Sequence, residues 1–417
     1  MARMTRKQDL LRGSLVGGAI GDAMGYPVEF MKYREIIAKY GQPGITSYEL
    51  RNGVAEISDD TQMTLFTANG MLMGMTRFYM RGIGSSPHNY VEYAYRDWYY
   101  TQTKSFQEMM NATEPYIPYR HTWLSALPEF YSRRAPGITC MQSIRDIIDG
   151  KIPENDSKGC GGVMRVAPWP LFCACHKNRF SINEIDLAGG EIARLTHKHP
   201  LGWLPAIVLT HILYKLMKGR SFSNYSVVEK RKKFAEIVIE ALRLLPKLKE
   251  EEFIASHEPT WDMNKILGEV FEKQILLLDR LVRQALLLAE GDDKDIKNIK
   301  LLGEGWVGEE ALAIAIYAVA RHIDDFSSVI IAAVNHDGDS DSTGSIAGNI
   351  MGAIVGYKAI PDKFKKNLEL VNIILAIADD LHQGCIISEY DTNITPAKMQ
   401  WHSRYCDMLP LGIKDYL

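Results

Sequence analysis

Apolar and charged residues recur along the chain at the three- and four-residue spacing of amphipathic helices. The clearest examples are Val227 to Leu245 and Ile266 to Glu290. Two further segments, Glu309 to His322 and Leu201 to Leu216, are apolar around most of their circumference, which predicts buried helices. The best candidate strand, Ser328 to Val334, is short and contains two alanines, so it is also compatible with a helix. We therefore predict an all-α fold.

Two rows of glycines recur at every fourth residue, one near each end of the chain. On a helix, each row forms a stripe without side chains. A glycine inside a helix costs up to about 1 kcal/mol relative to alanine, so four in one helix require a compensating gain such as close approach of a second helix. We predict that the stripes pack the two ends of the chain together. The rows are Gly13, Gly17, Gly21 and Gly25, and Gly344, Gly348, Gly352 and Gly356.

Residues 219–300 differ from the rest of the chain in their clusters of charge. Runs such as Glu229 to Lys233 and Lys249 to Glu252 are typical of solvated helix faces and turns. We interpret this segment as a peripheral helical elaboration of one domain that spans residues 1–417. The tail, residues 387–417, carries no pattern that predicts whether it packs on that domain.

Composition and charge restrict the classes of function. A formal net charge of −3 gives no electrostatic footprint for nucleic acid or an acidic membrane surface. The most apolar run, Thr343 to Pro361, is interrupted by Asn349 and Lys358, and the N-terminus lacks a sustained apolar segment with a cleavage site. The six cysteines are scattered, which argues against a disulfide framework. We expect a cytoplasmic protein that binds neither nucleic acid nor membranes.

Four oxygen-bearing side chains are consecutive at Ser58, Asp59, Asp60 and Thr61, directly before an apolar segment. One such residue is enough to cap a helix, and acidic residues suit its positive N-terminus. Hard cations such as Mg²⁺ also take carboxylate and hydroxyl oxygens. The cluster alone is therefore compatible with a helix cap and with a metal site.

A second acidic cluster, Asp337 to Thr343, opens the glycine-rich C-terminal segment. Its three aspartates must converge on something positive or repel one another. An EF-hand loop is excluded, because its required glycine and glutamate would fall on Ser342 and Gly348. A phosphatase of the haloacid dehalogenase type, with Asp339 as its nucleophile, is an alternative. That fold needs a parallel sheet, however, and would leave the first acidic cluster unused.

Together, the two clusters favour a two-metal site, in which paired cations activate water and stabilise developing charge. The chain also resembles the ADP-ribosylglycohydrolase family, which includes the nitrogenase-reactivating glycohydrolase, from about residue 8 to about residue 360. One shared motif would be weak evidence, but six in the same order are strong. The motifs are GGAIGDAMGYPVEF (17–30), SDDT (58–61), GCGGVMR (159–165), LTHKHP (195–200), GWVGEEAL (305–312) and GDSDSTG (338–344).

The resemblance implies a compact, single-domain orthogonal bundle of helices with two Mg²⁺ ions, replaceable by Mn²⁺, in a central cleft. The implied catalytic carboxylates are Glu29, Asp59 and Asp60. Asp337 lies outside the implied ligand set, and we interpret it as a helix-start residue or a partner of the ligands. The implied metal ligands are Ser58, Asp59, Asp60, Asp339, Asp341 and Ser342.

The resemblance also assigns ADP-ribose binding to the glycine-rich segment 159–165. Glycines let backbone N–H groups approach phosphates, and the N-terminus of a following helix favours anions. Many relatives carry asparagine where Cys160 stands, and we expect Arg165 to be a structural ion-pair partner. The implied substrate-binding residues are Gly159, Cys160, Gly161, Gly162, Val163, Met164, Arg165 and His197.

The implied reaction is hydrolysis at the anomeric carbon of the distal ribose, which releases ADP-ribose. We expect an ADP-ribosylated protein, modified on arginine, as the substrate, with serine-linked ADP-ribose and small ADP-ribose adducts as alternatives. A relative that binds ADP-ribose without catalysis is a further alternative, although both acidic clusters are intact. A monomer and a small homo-oligomer are both compatible with the sequence.

Overall fold

The structure, a computed structural model, describes residues 4–111, 121–177, 180–247 and 267–406. Within these ranges the regular secondary structure is helical, and strand-like pairing is limited to isolated bridges. The predicted all-α fold is confirmed. The candidate strand at residues 328–334 lies inside a helix, Phe326–Val334.

The helices before residue 200 are mostly short, apart from α1, α3 and α4. In order they are α1 (Arg6–Gly25), α2 (Tyr33–Tyr40), α3 (Asp59–Arg81), α4 (Pro87–Thr103), α5 (Phe106–Asn111), α6 (Ile138–Ile148), α7 (Pro168–Cys175) and α8 (Ile182–Arg194). The later helices are α9 (Pro200–Lys218), α10 (Val227–Leu244), α11 (Leu267–Leu288), α12 (Asp295–Ile299), α13 (Gly308–Arg321), α14 (Phe326–Val334), α15 (Ser340–Val355), α16 (Asp362–Lys365), α17 (Val371–Gln383) and α18 (Pro396–Tyr405). Short 3₁₀ helices occupy Tyr26–Val28, Trp123–Ala126, Pro128–Tyr131, Cys160–Arg165, Leu245–Lys247 and Tyr357–Ala359.

Helices α1 and α15 cross the core antiparallel, with glycine facing glycine. A Cβ atom added to Gly13 would lie 2.5 Å from the carbonyl oxygen of Gly352. One added to Gly21 would overlap the carbonyl group of Gly344. Since no side chain larger than hydrogen fits between the backbones, the glycines are required by close approach. The prediction that the stripes pack the ends of the chain together is confirmed.

Helix α9 is buried along almost its whole length between α7, α8, α10 and α13. Among the described helices it is the one that is long and apolar enough to cross a membrane, and 83% of its apolar window is buried inside the protein. The sequence analysis located the most apolar run at residues 343–361, which was wrong. The contacts of α9 on all sides explain why it needs no polar face.

The charge-rich segment 219–300 contributes two long helices, α10 and α11, that pack on the buried helices α9 and α13. Their contact faces consist of buried apolar residues such as Phe234, Val238, Leu278 and Val282. Residues 248–266 of the segment lie outside the described residues.

The C-terminal tail packs on the bundle as far as its last described helix, α18. The indole Nε1 of Trp401 donates a hydrogen bond to Thr76 Oγ1 of α3 at 3.0 Å. Arg404 and Tyr405 both donate to Asp380 Oδ2 of α17, at 2.7 and 2.6 Å. The tail is thus attached by buried polar contacts that no periodic pattern in the sequence indicates.

Replacing Gly21 by alanine is expected to lower the free energy of unfolding by about 3 kcal/mol, because the added methyl group forces the two backbones apart. The Cβ would overlap the Gly344 carbonyl and lie 2.9 Å from Ser345 N. Urea unfolding followed by circular dichroism measures the change. Gly291→Ala is the matched control, since its Cβ meets the nearest neighbour at 3.6 Å. Equal losses in the two variants would contradict the close-approach argument.

Candidate functional site

The first acidic cluster forms the N-terminus of α3. Ser58 is the N-cap, and its Oγ accepts a hydrogen bond from Asp60 N at 3.2 Å. Asp59 and Asp60 follow in the first turn, and only 6% and 2% of their surfaces are exposed. The interpretation of this cluster as a helix cap is confirmed. Helix capping alone does not explain why both carboxylates are buried, because an aspartate side chain is rarely buried unless it is paired with an opposite charge.

The second acidic cluster forms the N-terminus of α15 in the same way. Asp339 is the N-cap, and its Oδ1 accepts from Ser342 N at 3.2 Å. Asp341 is in the first turn, and its Oδ1 accepts from the same N–H at 3.0 Å. The hydroxyl of Ser342 donates to Asp60 Oδ1 at 3.3 Å, so the two clusters are in contact.

The glycine contact between α1 and α15 positions the second cluster. A Cβ on Gly25 would lie 2.5 Å from the Cα of Asp341, so the end of α1 rests on the first turn of α15. One turn earlier, Asp22 Oδ1 accepts from Ser58 N at 2.9 Å. Its Oδ2 accepts from Thr61 N at 3.0 Å and from the Thr61 hydroxyl. Helix α1 therefore holds the starts of α3 and α15 side by side.

Six buried carboxylates meet at this point without a neutralising partner. No lysine, arginine or histidine of the described residues forms an ion pair with any of them. Burial raises the pKa of all six, and the nearby charge of Asp341 raises several further. The pKa of Asp22 rises to about 7 and that of Glu29 to about 11. The six are Asp22, Glu29, Asp59, Asp60, Asp339 and Asp341.

The donor chemistry of this cluster fits a hard divalent cation. Asp60 Oδ2 and Glu29 Oε2 are buried and have no hydrogen-bond partner. Carboxylate and hydroxyl oxygens are the ligands that Mg²⁺ prefers. The coordination geometry itself is not formed: across the described ranges, no group of three or more His, Cys, Asp or Glu side chains is already arranged to hold an ion.

Glu29 lies in a segment that connects α1 to α2 and closes over the cluster. Glu29 is only 7% exposed. The ring of its neighbour Phe30 stacks on Trp306, with 5.6 Å between ring centroids and 21° between planes. Lys32 Nζ pairs with Glu304 Oε1 at 2.9 Å. Segment 29–32 is therefore fastened to the loop that precedes α13.

Asp337 also helps to hold the segment between α1 and α2 in place, and it does not start the helix that follows it in sequence. Its Oδ1 accepts a hydrogen bond from Tyr33 N, the first residue of α2, at 2.7 Å. The interpretation of Asp337 as the start of its own helix is therefore wrong, since it accepts from the first N–H of a helix some 300 positions earlier in the chain.

The glycine-rich segment 159–165 lies beside the acidic cluster. Gly159 pairs with Val307 as an isolated bridge, and Cys160 N donates to the carbonyl oxygen of Trp306 at 3.2 Å. The Cys160 thiol donates to Asp339 Oδ2 at 2.8 Å. The next residues form a tight 3₁₀ helix whose members Gly161, Gly162, Val163, Met164 and Arg165 are all buried.

The same segment rests on His197. A Cβ on Gly161 would lie 2.9 Å from His197 Cε1, and one on Gly162 would overlap the Gly202 carbonyl of α9. His197 is 2% exposed, and burial, with a contribution from Arg165, lowers its pKa to about 3. The structure thus places this histidine directly beneath the glycine backbone.

Arg165 is fully buried, but the ion pair that we expected for it is wrong. Within the described residues no carboxylate contacts its guanidinium. Instead Nη2 donates to Thr196 Oγ1 at 2.5 Å, and the guanidinium lies 4.7 Å from the centre of the Tyr95 ring. Because the guanidinium is fully buried, the structure favours an indirect effect of Arg165 on a substrate, through Thr196, over direct contact.

Comparisons with known proteins agree with this architecture. The sequence profile of the ADP-ribosylglycohydrolase family matches residues 3–389. The chain belongs to the ADP-ribosylglycohydrolase family. It is 23% identical over 373 residues to the ADP-ribosyl-(dinitrogen reductase) glycohydrolase of Rhodospirillum rubrum, which covers 87% of this chain and 91% of that protein. It is also 23% identical over 384 residues to the ADP-ribosylarginine hydrolase Tri1 of Serratia proteamaculans, with 89% and 79% covered.

A solved structure shares the fold. It is described as an ADP-ribosylglycohydrolase-related protein complex, and it matches with a TM-score of 0.52 and 20% identity over 90% of this chain and 98% of that one. Like its named relatives, the present glycohydrolase is an enzyme that hydrolyses ADP-ribosyl bonds. The phosphatase alternative is wrong, because the segment before Asp337 is helix α14 and the described residues contain no parallel sheet.

Asp22 is a buried carboxylate of the acidic cluster that the sequence analysis did not select. It has no exposed surface and holds the N-terminus of α3 through three accepted hydrogen bonds. The available signal was that Asp22 is the one charged residue within residues 15–25 of α1, which are otherwise glycine and apolar. An aspartate at such a position needs several donors to offset its burial.

Asp341→Asn is expected to stabilise the metal-free glycohydrolase by about 1 kcal/mol, because it removes one repelling buried charge and keeps the Oδ1 acceptor. If the cluster binds Mg²⁺, the same substitution should abolish most of the stabilisation that added Mg²⁺ would give. Thermal unfolding in EDTA and in Mg²⁺ measures both effects. Asp292→Asn, at an exposed turn, is the control and should change neither. A less stable Asp341→Asn protein with an unaltered response to Mg²⁺ would show that this cluster binds no ion.

Proposed function

We propose that this enzyme hydrolyses the bond between ADP-ribose and an arginine side chain of a protein, in a Mg²⁺-dependent reaction that releases ADP-ribose. The observation that carries the proposal is the meeting of two buried acidic helix starts beside a glycine-rich segment, with no cationic side chain of the described residues paired to them. The relatives' names support the acceptor. One acts on ADP-ribosyl-(dinitrogen reductase), and another is named an ADP-ribosylarginine hydrolase.

Two ions, Mg²⁺ or Mn²⁺, are proposed to bind where the starts of α3 and α15 meet. Bound there, they would neutralise the carboxylates and orient a water and the hydroxyls of the distal ribose. The support is the set of hard oxygen donors, including the unpartnered Asp60 Oδ2. The proposed ligands are Ser58, Asp59, Asp60, Asp339, Asp341 and Ser342.

The carboxylates of the chain are proposed to perform the proton transfer. Glu29 Oε2 has no hydrogen-bond partner among the described residues, and bound cations would lower its raised pKa, so that it could accept a proton from the attacking water. Asp59 and Asp60 are the other candidates for this role. As in other glycoside cleavage, positive charge develops on the ribose ring in an oxocarbenium-like transition state, and these buried carboxylates would offset it.

The glycine-rich segment is proposed to bind the diphosphate of ADP-ribose. The absence of side chains at Gly159, Gly161 and Gly162 allows phosphate oxygens to approach the backbone. His197 lies beneath this segment, with its imidazole next to Gly159 and Gly161. This arrangement would place the distal ribose towards Cys160, whose thiol touches Asp339.

The deciding experiment measures ADP-ribose released from an arginine-ADP-ribosylated protein in Mg²⁺ and in EDTA. We expect release only with Mg²⁺, and we expect Asp339→Ala to lower it by more than about 100-fold, because a metal ligand and a helix cap are lost together. Asp337→Asn is the matched control. It lies two residues away but reaches Tyr33 N, and asparagine retains that acceptor, so activity should persist.

Other outcomes separate the alternatives. Release only from serine-linked or small adducts would keep the hydrolase and overturn the arginine assignment. Release that is unaffected by EDTA would overturn the metal dependence. Binding of ADP-ribose without release from any adduct would favour a relative that has lost catalysis.

A further inference from the structure

Arg165 is a buried cation held entirely by neutral groups. Besides Thr196, its guanidinium donates to the sulfur atoms of Cys140 and Met63 at 3.3 and 3.5 Å. A buried charge ordinarily has a charged partner. The presence of an arginine here therefore needs a different explanation. Guanidinium has only donors and does not lose its proton in proteins. The direction of each of its hydrogen bonds is therefore fixed.

The fixed donor at Arg165 determines the orientation of the Thr196 hydroxyl. Thr196 Oγ1 accepts from Arg165, so its own hydrogen is available to one other acceptor. His197 Nδ1 lies 2.9 Å away, whereas the carbonyl oxygen of Ala193 lies 3.5 Å away and already receives the N–H groups of Thr196 and His197. The remaining neighbour is the Cys140 sulfur, a weak acceptor. The hydroxyl therefore donates to His197 Nδ1.

An imidazole that accepts at Nδ1 carries its proton at Nε2. In His197 this Nε2 has no hydrogen-bond partner within the described residues. It would lie 3.2 and 3.3 Å from Cβ atoms added to Gly159 and Gly161, so only glycine leaves this edge of the ring accessible. The lowered pKa of His197, caused by burial and by Arg165, agrees with a neutral ring.

We propose that the buried relay from Arg165 through Thr196 fixes His197 as its neutral Nε2–H tautomer and directs that N–H to a phosphate oxygen of the substrate. Arg165 and Thr196 are positioning residues, and His197 is the residue that touches the ligand. The identity of the ligand, the diphosphate of ADP-ribose, rests on the proposed function. The tautomer does not, since it belongs to the ligand-free protein.

Two-dimensional ¹H–¹⁵N NMR on histidine-labelled, ligand-free protein tests the tautomer directly. The chain has 11 histidines, and the spectrum of His197→Asn identifies the signal that belongs to this ring. We expect a pyridine-type nitrogen at Nδ1 and a pyrrole-type nitrogen at Nε2. A protonated Nδ1 in the wild-type protein would overturn the proposal, and this result does not depend on the folding of any relay variant.

Variants of Thr196 test the relay. Thr196→Val keeps the shape of the side chain and removes the hydroxyl, so the ring should populate both tautomers. Thr196→Ser keeps the hydroxyl and should restore the wild-type spectrum. A Thr196→Val spectrum that is identical to that of the wild type would overturn the relay. Thermal unfolding of both variants separates this effect from a loss of structure.

Titration calorimetry with ADP-ribose measures the consequence for binding. Thr196→Val should weaken binding about tenfold, the usual effect of losing one hydrogen bond to a charged group, and Thr196→Ser should not. In turnover the loss should appear in KM, with kcat within about twofold, because the phosphate contact is equal in the ground and transition states. Unaltered binding by Thr196→Val would overturn the phosphate contact. If the wild-type protein does not bind ADP-ribose, the proposed function fails, whereas the NMR test of the tautomer stands separately.

Discussion

The contact between the glycine stripes of α1 and α15 is the constraint on which the rest of the structure depends. The two backbones are so close that a Cβ on Gly13 would lie 2.5 Å from the Gly352 carbonyl oxygen. Since glycine lowers the intrinsic stability of a helix, this packing must offset the cost of two glycine rows. In return it fixes one end of the chain against the other. Asp22 from α1 and Asp341 from α15 thereby meet at the start of α3, and the acidic site is built from segments that are distant in sequence.

Concentrating carboxylates at this junction is unfavourable for folding and useful for chemistry. The N-termini of α3 and α15 both point to the junction, and their partial positive charges offset part of the repulsion. The buried cation Arg165 gives its donors to Thr196, to sulfur atoms and to backbone carbonyl oxygens instead of to the carboxylates. Among the described residues the acidic oxygens are thus left without a protein cation, which suits the divalent ions proposed above. A ligand that binds such a site in the folded protein raises the free energy of unfolding and so offsets the cost of the buried carboxylates.

Features that rest on local periodicity were predicted well from the sequence, and features that rest on long-range partners were not. Helical spacing gave the all-α fold, and the four-residue glycine rows gave the central helix pair. The acidic clusters were placed at helix starts because capping is a local property. In contrast, Asp337 caps a helix that lies far away in sequence, and Arg165 is satisfied by neutral groups. Neither partner could be identified from spacing, because tertiary packing decides which donor meets which acceptor.

Cys160 connects the glycine-rich segment to the second acidic cluster through its thiol. At this position, where the family resemblance led us to expect asparagine, the protein has a thiol whose S–H donates to Asp339 Oδ2 at 2.8 Å. An asparagine amide and a cysteine thiol both offer a donor, although that of the thiol is weaker. Burial, reinforced by the charges of Asp339 and Asp60, raises the pKa of the Cys160 thiol well above its usual value, so the thiol keeps its proton. The Cys160 thiol therefore supplies a hydrogen-bond donor to the carboxylate that caps α15.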